Sequence, residues 1–213
     1  MLKIKSFEFS PIQENTYILY NEAKECAIID PGCYSDDEKD KLLNFIKEME
    51  LKPILLLNTH CHLDHVFGNK FVSEQFSLKL HIHENEKRVL EMAPFAGLGF
   101  NMPFDNYNGE LLFIEEGDII KIGKDELSAL FTPGHSPGSL SFYCEKDAFV
   151  ISGDALFYRS IGRTDLPGGD HEMLIKNIRE KLFVLPEKTE VYSGHGPKTR
   201  IGDEKVNNPF FSL

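Results

Sequence analysis

The sequence predicts a mixed α/β (α+β) fold, and three observations support this prediction. Short apolar segments typical of strands alternate with amphipathic helical segments along the first half of the chain. Polar residues directly follow several of these strands, at the carboxyl ends where open α/β sheets bind their ligands. With 213 residues, of which 41% are hydrophobic and 27% charged, the chain has an ordinary globular composition and can bury a sizeable core. We therefore expect a single domain, residues 1–213.

The first half of the chain is predicted to contain five strands and three helices. The predicted strands lie between turn signals and are residues 2–9, 15–20, 25–29, the segment that Pro53 opens, and 78–83. The predicted helices are residues 36–49, 66–76 and 84–91. A capping-box pattern from Ser35 to Glu38 marks the start of the first helix. From 92 to 109, Pro and Gly interrupt the pattern, which predicts a loop that is either a lid or a connector.

The second half of the chain is predicted to be rich in short strands. These are residues 111–114, 119–122, 127–131, 139–144, 147–152 and 189–193. A loop is predicted from 155 to 170, and Asp170 is expected to cap the helix that follows. The apolar face of that helix consists of Leu174, Ile178 and Leu182. Both halves place strands before a helix, so we expect two pseudo-repeated halves, about 1–110 and 111–213, with a site between them.

A cluster of metal-binding residue types follows the strand that Pro53 opens. The uninterrupted apolar run 54–57 predicts a strand buried on both faces. The cluster follows within eight residues and contains His60, His62, Asp64 and His65. Three of the eight histidines of the chain lie in this stretch, and such groups are costly near a core unless something pairs with them. His nitrogen and Asp oxygen suit zinc, iron or manganese, so we interpret this stretch as metal-binding and not as a polar loop.

Three further candidate ligands lie at strand ends later in the chain. They are His135, Asp154 and His195, and each follows a glycine. Together with Thr59-His-Cys-His-Leu-Asp-His65, these motifs resemble those of the metallo-β-lactamase superfamily. The His-x-His-x-Asp-His signature is highly specific, and the resemblance covers nearly the whole chain. It implies a four-layer αββα sandwich of two mixed β-sheets flanked by helices.

The resemblance also implies a ligand set for two divalent metal ions. One ion would be bound by His60, His62 and His135. The other would be bound by Asp64, His65 and His195, with Asp154 bridging the two. We expect zinc first, with iron or manganese as alternatives, because all three metals accept these ligands.

The expected chemistry is hydrolysis. Two metal ions can share a hydroxide that is nucleophilic at neutral pH, and Asp64 and Asp154 would be the catalytic carboxylates that support it. We expect that hydroxide to attack an acyl carbon while the metals stabilise the oxyanion. No dedicated general acid is apparent. A thiolate leaving group, whose parent thiol has a pKa of about 8.5, needs little protonation. A thioester is therefore the favoured class of substrate. Asp30 is expected either to orient a ligand or to cap a turn.

The segment from Asp154 to Gly169 resembles the glyoxalase II-like group, hydroxyacylglutathione hydrolases and their shorter bacterial relatives. The resemblance implies that Arg163 contacts the glycine carboxylate of a substrate such as S-lactoylglutathione. Full-length members continue into a C-terminal helical domain that helps to hold glutathione, and none is expected here. They also carry an aromatic residue where this chain has Gly196-Pro197.

Two alternatives to a thioesterase remain open. A persulfide dioxygenase with a single iron shares a Gly-Arg-Thr-Asp segment, and a non-catalytic metal-binding protein would carry the same ligands. A secreted β-lactamase is disfavoured, because no leader is apparent and Asp154 lies where those enzymes often have Cys.

The expected partner is a small-molecule thioester. The net charge of −11 and the absence of a basic run argue against nucleic acid. No apolar stretch approaches the roughly 18 residues that span a bilayer, so no membrane contact is expected. The four cysteines form no CxxC pair, which predicts reduced thiols and a cytoplasmic location.

Overall fold

A computed structural model describes residues 1–211 of the protein. The strands of the described residues form two six-stranded sheets and a two-stranded ribbon. The strands are β1 (Lys3–Phe9), β2 (Glu14–Tyr20), β3 (Glu25–Ile29), β4 (Lys52–Leu57), β5 (Leu80–Ile82), β6 (Leu111–Phe113), β7 (Ile119–Ile122), β8 (Asp125–Phe131), β9 (Leu140–Cys144), β10 (Phe149–Gly153), β11 (Leu156–Phe157), β12 (Ser160–Ile161), β13 (Glu190–Ser193) and β14 (Thr199–Arg200). The α-helices are α1 (Asp36–Glu48), α2 (Leu63–Val66), α3 (Asn69–Phe76), α4 (Lys87–Gly99), α5 (His171–Asn177) and α6 (Ile201–Asn207). Among these described residues, no helix is long and apolar enough to cross a membrane.

Both large sheets are mixed. The first has the order β1-β2-β3-β4-β5-β6, with antiparallel pairing from β1 to β3 and parallel pairing from β3 to β6. The second has the order β14-β13-β10-β9-β8-β7, in which only β10 and β13 pair in parallel. The strands of the first sheet precede those of the second in the chain, close to the predicted division at about 110. An internal duplication stays a prediction.

Side-chain alternation along the strands divides the core into layers. Ile18 and Ile28 belong to a cluster that also contains buried residues of α1, α3 and α4. Their chain neighbours Leu19 and Ile29 point the other way, into a cluster with the inner face of the second sheet. A third cluster joins the outer face of the second sheet to α5 and α6. The order of layers is therefore helix, sheet, sheet, helix, which confirms the predicted αββα sandwich.

Strand β4 only partly matches the expectation of a strand buried on both faces. Ile54 is 38% exposed, whereas Leu56 and Leu57 are fully buried. Leu56 packs in the outer cluster and Leu57 in the cluster between the sheets. The carboxyl end of β4, which precedes the candidate metal ligands, is therefore the part that is fixed from both sides.

The predicted loop from 92 to 109 is wrong for its first half, because α4 continues through Pro94 to Gly99. Proline in a helix leaves the carbonyl four residues earlier without its usual donor. Here that carbonyl belongs to Leu90, and the side-chain amide of Asn106 donates to it at 2.7 Å. The loop that follows folds back along α4 and supplies this hydrogen bond, so the helix tolerates the proline.

Smaller differences concern helix and loop bounds. The predicted helix 66–76 is divided into α2 and α3, and the predicted loop 155–170 contains the short hairpin of β11 and β12. The capping box of α1 is confirmed, as Ser35 and Glu38 each accept a hydrogen bond from the other's backbone N–H. Asp170 caps α5 as predicted, accepting from the N–H of Met173 at 2.9 Å. Helix α5 then continues as a π-helical turn over Ile178–Leu182.

Candidate metal centre

All seven predicted ligands lie together where the two sheets meet, and each follows a strand. The turn after β4 carries His60 and His62, and α2 carries Asp64 and His65. The other three follow β8, β10 and β13, and they are His135, Asp154 and His195. These strands come from both sheets, so the site exists only where the sheets face each other.

The first group of potential ligands consists of three histidines. One ring nitrogen each from His60, His62 and His135 lies within 4.8 Å of the others. His62 Nδ1 lies 2.8 Å from His135 Nε2. The Nδ1–H of His135 donates to the backbone carbonyl of Arg163 at 2.7 Å, and Nδ1 of His60 lies 3.2 Å from the Thr59 hydroxyl. These contacts leave the Nε2 atoms of His60 and His135 directed at the centre of the group.

The second group combines a carboxylate with two histidines. Asp64, His65 and His195 each offer one atom within 4.8 Å of the others, and Asp64 Oδ2 lies 3.1 Å from His195 Nε2. The Nδ1–H of His65 donates to Asp30 Oδ2 at 3.1 Å, and that of His195 donates to the carbonyl of Gln13 at 3.1 Å. Both rings therefore present Nε2 to the site, as metal-ligating histidines do.

Asp154 lies between the two groups. Its Oδ1 is 3.5 Å from Nε2 of His65, and its Oδ2 is 3.4 Å from Nε2 of His135 and 3.7 Å from Nε2 of His195. One carboxylate thus contacts a member of the first group and two members of the second. This position suits a carboxylate shared by two ions.

Asp30 acts on the site from behind His65. Besides His65 Nδ1, its carboxylate accepts from the N–H and hydroxyl of Thr59, at 2.6 and 2.5 Å, and from the amide of Asn58 at 3.1 Å. Asp30, His60 and His65 also lie close enough together to be considered as a metal group. Because protein donors already occupy both oxygens of Asp30, we interpret it as a residue that orients His65.

The site contains buried polar atoms that lack any hydrogen-bond partner in the described part of the chain. Three belong to predicted ligands: His60 Nε2, His65 Nε2 and Asp154 Oδ1. A buried polar group without a partner costs about 1–3 kcal/mol. Two of these atoms, His65 Nε2 and Asp154 Oδ1, lie 3.5 Å apart, so a further group at the site would serve atoms that are close together. Divalent cations bound by nitrogen and oxygen would satisfy all three atoms, and the donor set therefore fits metal ions.

The pKa shifts favour the metal-binding form at some of the predicted ligands and the protonated form at others. Burial lowers the pKa of His60 well below its usual range and that of His62 to about 4, so both rings are neutral at physiological pH. Burial opposes ionisation of Asp154, but the neighbouring imidazoles, His65 foremost, hold the pKa of this carboxyl well below its usual range. Neutral imidazoles and ionised carboxylates are the forms that bind metal. Burial disfavours a proton on His65 and His195 as well, but the acidic side chains around these two rings outweigh it and raise their pKa values. Metal binding would therefore displace a proton from each of these two rings.

Glu86 contributes to the site but was not apparent from the sequence. Its fully buried carboxylate accepts from the N–H of Cys61 at 2.8 Å and from the Ser136 hydroxyl and the N–H of Gly138, both at 2.6 Å. It thereby connects the turn that carries His60 and His62 with the turn that carries His135. In the sequence it lies within a charged stretch that gives no signal of burial.

A cavity of about 870 Å³ opens onto the centre. Five predicted ligands form its floor: His62, Asp64, His135, Asp154 and His195. Much of its wall is apolar and includes Leu63, Val89, Met92, Ala96, Phe100, Phe157, Ile161 and Leu166. Arg163 also lines it, but its guanidinium forms two hydrogen bonds with Asp165, both of 2.7 Å. Arg163, which is predicted to contact the substrate, therefore lies at the cavity, but its guanidinium is already paired with the Asp165 carboxylate.

An αββα sandwich with clustered His and Asp side chains at one end of its two sheets defines a class of proteins that bind divalent metal ions. Residues 10–195 match the family described as the metallo-beta-lactamase superfamily, and the chain belongs to it. The resemblance found in the sequence is thus confirmed.

Two relatives align along almost their full length. The protein of Bacillus subtilis (strain 168) named "Probable metallo-hydrolase YqgX" is 42% identical, over 99% of this chain and 98% of its own length. "Hydroxyacylglutathione hydrolase GloC" of Haemophilus influenzae is 35% identical, over 99% of both chains. Both relatives are named as hydrolases.

Three solved structures show how far the likeness extends. The B3 metallo-beta-lactamase BLEG-1 has a TM-score of 0.90 at 41% identity, covering 99% of this chain and 100% of its own. TTHA1623, solved in a di-iron-bound form, has a TM-score of 0.88 at 35% identity, covering 97% of this chain and 99% of its own. ETHE1 from Myxococcus xanthus has a TM-score of 0.80 at 26% identity, covering 97% of this chain and 83% of its own. Similar folds thus occur under several functional names, and the di-iron form shows that the metal is not fixed by the fold.

Proposed function

We propose that the protein is a metal-dependent thioesterase that cleaves a hydroxyacyl-thiol such as S-lactoylglutathione. The observation that carries the proposal is the position of Asp154 between two groups of potential metal ligands at the floor of the cavity. The end-to-end similarity to hydroxyacylglutathione hydrolase GloC supports the choice of substrate class.

The ligand set is part of the proposal. The first ion would be held by His60, His62 and His135. The second would be held by Asp64, His65 and His195, with Asp154 shared. We propose zinc first, because it accepts this set of ligands, and iron as the alternative suggested by the di-iron form of TTHA1623.

When bound, two divalent ions make water acidic enough to act as a nucleophile near neutral pH and polarise a carbonyl oxygen. The side chains of the protein set the geometry of this chemistry. The carboxylate of Asp30 fixes the ring of His65, and the carbonyl of Arg163 fixes that of His135. The apolar wall of the cavity limits the water that surrounds the acyl group.

The cavity lining supports a thiolate as the leaving group. Among its described residues, the ionisable side chains that are not proposed ligands are Cys61, Arg88 and Arg163. Burial raises the pKa of the Cys61 thiol well above its usual range, and a guanidinium does not release a proton at neutral pH. An amine or alkoxide leaves readily only with a proton donor, whereas a thiolate leaves without one.

The test is hydrolysis of S-lactoylglutathione by protein with its metal content measured, followed at the thioester absorbance. We expect turnover that is lost when chelators remove the metal and returns when metal is added back. Protein that contains two metal ions per chain but hydrolyses neither this thioester nor the lactoyl thioester of a neutral thiol would refute the proposal.

Two other activities are favoured by specific similarities. The likeness to BLEG-1 favours hydrolysis of a β-lactam, and a chromogenic cephalosporin tests it. We expect slower turnover of the cephalosporin than of the thioester, since the amine leaving group finds no proton donor in the lining. The likeness to ETHE1 favours persulfide oxidation, which oxygen uptake with glutathione persulfide and iron-loaded protein tests. The second group of potential ligands, Asp64, His65 and His195, favours a dinuclear hydrolase over a dioxygenase with a single iron.

A cytoplasmic location belongs to the same proposal. The four cysteines are buried and free, and no disulfide joins them in the part of the chain that the structure describes. Free thiols suit a reducing compartment.

A further inference from the structure

Helix α4 turns one continuous face towards the cavity above the candidate metal centre. Including the turn before the helix and the residue after it, this face recurs every three to four residues, as expected for one side of a helix, and it consists of Asn85, Arg88, Val89, Met92, Ala93, Ala96 and Phe100. From Met92 onwards the face is entirely apolar. It therefore has a cationic end at Arg88 and an apolar stretch beyond, and Arg88 and Ala96 are separated by a rise of roughly 12 Å along the helix.

Arg88 is an exposed cation without an ion pair among residues 1–211. The acidic residues nearest to it in sequence are Glu84, Glu86 and Glu91, and none of them forms an ion pair with it. Glu86 is buried, and its carboxylate already accepts three hydrogen bonds from the turns around the site. Arg163 differs, because Asp165 already occupies its guanidinium with two hydrogen bonds. An anion entering the cavity would displace a carboxylate at Arg163, whereas at Arg88 it would displace only water.

The net negative charge of the protein makes this cation important for binding an anion. The net charge is −11, so an anionic ligand approaches against a repulsive background. S-lactoylglutathione carries its carboxylates on the thiol component, away from the acyl group that the metal centre would bind, so a cation further along the cavity would stabilise it. A guanidinium binds a carboxylate through two parallel N–H donors and thus fixes its orientation as well.

We propose that Arg88 is the residue that binds the anionic end of the substrate, and that the apolar face of α4 holds an apolar segment beside it. The inference rests on the proposed function and names its substrate class: thioesters that combine a carboxylate with an apolar arm. Arg88 is a binding residue in this account, and it takes no part in the bond cleavage.

The matched variants are Arg88→Met and Lys87→Met. Both remove one positive charge from neighbouring exposed positions at the start of α4, but only Arg88 lines the cavity. Arg88→Lys keeps the charge and loses the two-donor geometry.

The first measurement is binding of the thioethers S-hexylglutathione and S-methylglutathione to metal-loaded protein by calorimetry, since thioethers are not hydrolysed. We expect Arg88→Met to raise the Kd of S-hexylglutathione by about tenfold, the scale of one charge-assisted hydrogen bond. Lys87→Met should leave the Kd unchanged, and Arg88→Lys should give an intermediate value. The hexyl compound should bind more tightly than the methyl compound, because its arm contacts the apolar face. Equal Kd values in wild type and Arg88→Met, or no binding by wild type, would overturn the inference.

The second measurement separates this inference from the proposed function. Kinetics are compared for lactoyl thioesters of glutathione and of the uncharged thiol N-acetylcysteamine. Arg88→Met should raise KM for the glutathione thioester only, with kcat unchanged. Equal increases for both thioesters would overturn the role in anion binding. If neither thioester is hydrolysed but the thioether still binds through Arg88, the proposed function fails and the binding role stands.

Discussion

Substitution of Gly194 by alanine tests how closely the candidate ligands are packed. A Cβ at this position would lie 2.7 Å from Cε1 of His65 and closer still to Oδ1 of Asp154, whereas real Cβ atoms essentially never approach below 3.0 Å. The backbone of Gly194 does not adopt a positive φ, so the added methyl group acts through contact alone. Either Asp154 or the turn after β13 must move.

The expected magnitude follows from this displacement. Overpacking costs about 1–3 kcal/mol of stability, and a ligand displaced by about 1 Å can lower a rate roughly 100-fold. We expect Gly194→Ala to lower kcat for the thioester at least tenfold and to reduce bound metal below two ions per chain, while the protein remains folded.

The assay combines metal analysis, thermal unfolding and thioester kinetics on the same preparation. Gly99→Ala is the control, because a Cβ there meets no atom within 4 Å and the backbone is equally free of positive φ. Gly194→Ala with two metal ions and wild-type kcat would refute the packing argument.

Three further predictions concern single residues around the site. Asp30→Asn keeps a side chain that tolerates the positive φ of 50° at this position but replaces one acceptor oxygen by a donor. We expect the metal affinity of this variant to fall about 10–100-fold, and wild-type affinity in a metal titration would contradict the orienting role. Arg163→Ala should raise KM for an anionic thioester, by less than Arg88→Met does because Asp165 already neutralises Arg163; an unchanged KM would show that Arg163 does not recognise substrate. Asn106→Ala should lower the free energy of unfolding in urea by about 1 kcal/mol, because the Leu90 carbonyl loses its donor. The metal content should stay intact, and an unchanged free energy of unfolding would show that the hydrogen bond is not needed beside Pro94.

The candidate ligands could be predicted from the sequence because their signal is local. The stretch from His60 to His65 combines a specific signature with a preceding apolar strand, and the later ligands repeat the same position after a strand. The αββα arrangement followed from the resemblance that these motifs carry. The capping box at Ser35 was equally local, and the structure confirms it.

What could not be predicted depends on contacts between residues distant in sequence. Pro94 indicated a helix end, and only the amide of Asn106, twelve residues later, accounts for the continuation of α4. The buried position of Glu86 depends on donors in two separate turns. The direction in which Arg88 points follows from the course of α4, so its place at the cavity could not be inferred from the sequence alone.

The central claim is that Asp154 is shared by two metal ions, and metal stoichiometry of the Asp154→Ala variant tests it most directly. Wild-type protein and the variant are loaded under identical conditions, and bound metal and thioester hydrolysis are measured on each. We predict two ions per chain in wild type, and loss of both bound metal and activity in the variant, since Asp154 contacts histidines of both groups. Retention of two ions by the Asp154→Ala variant would contradict the shared position.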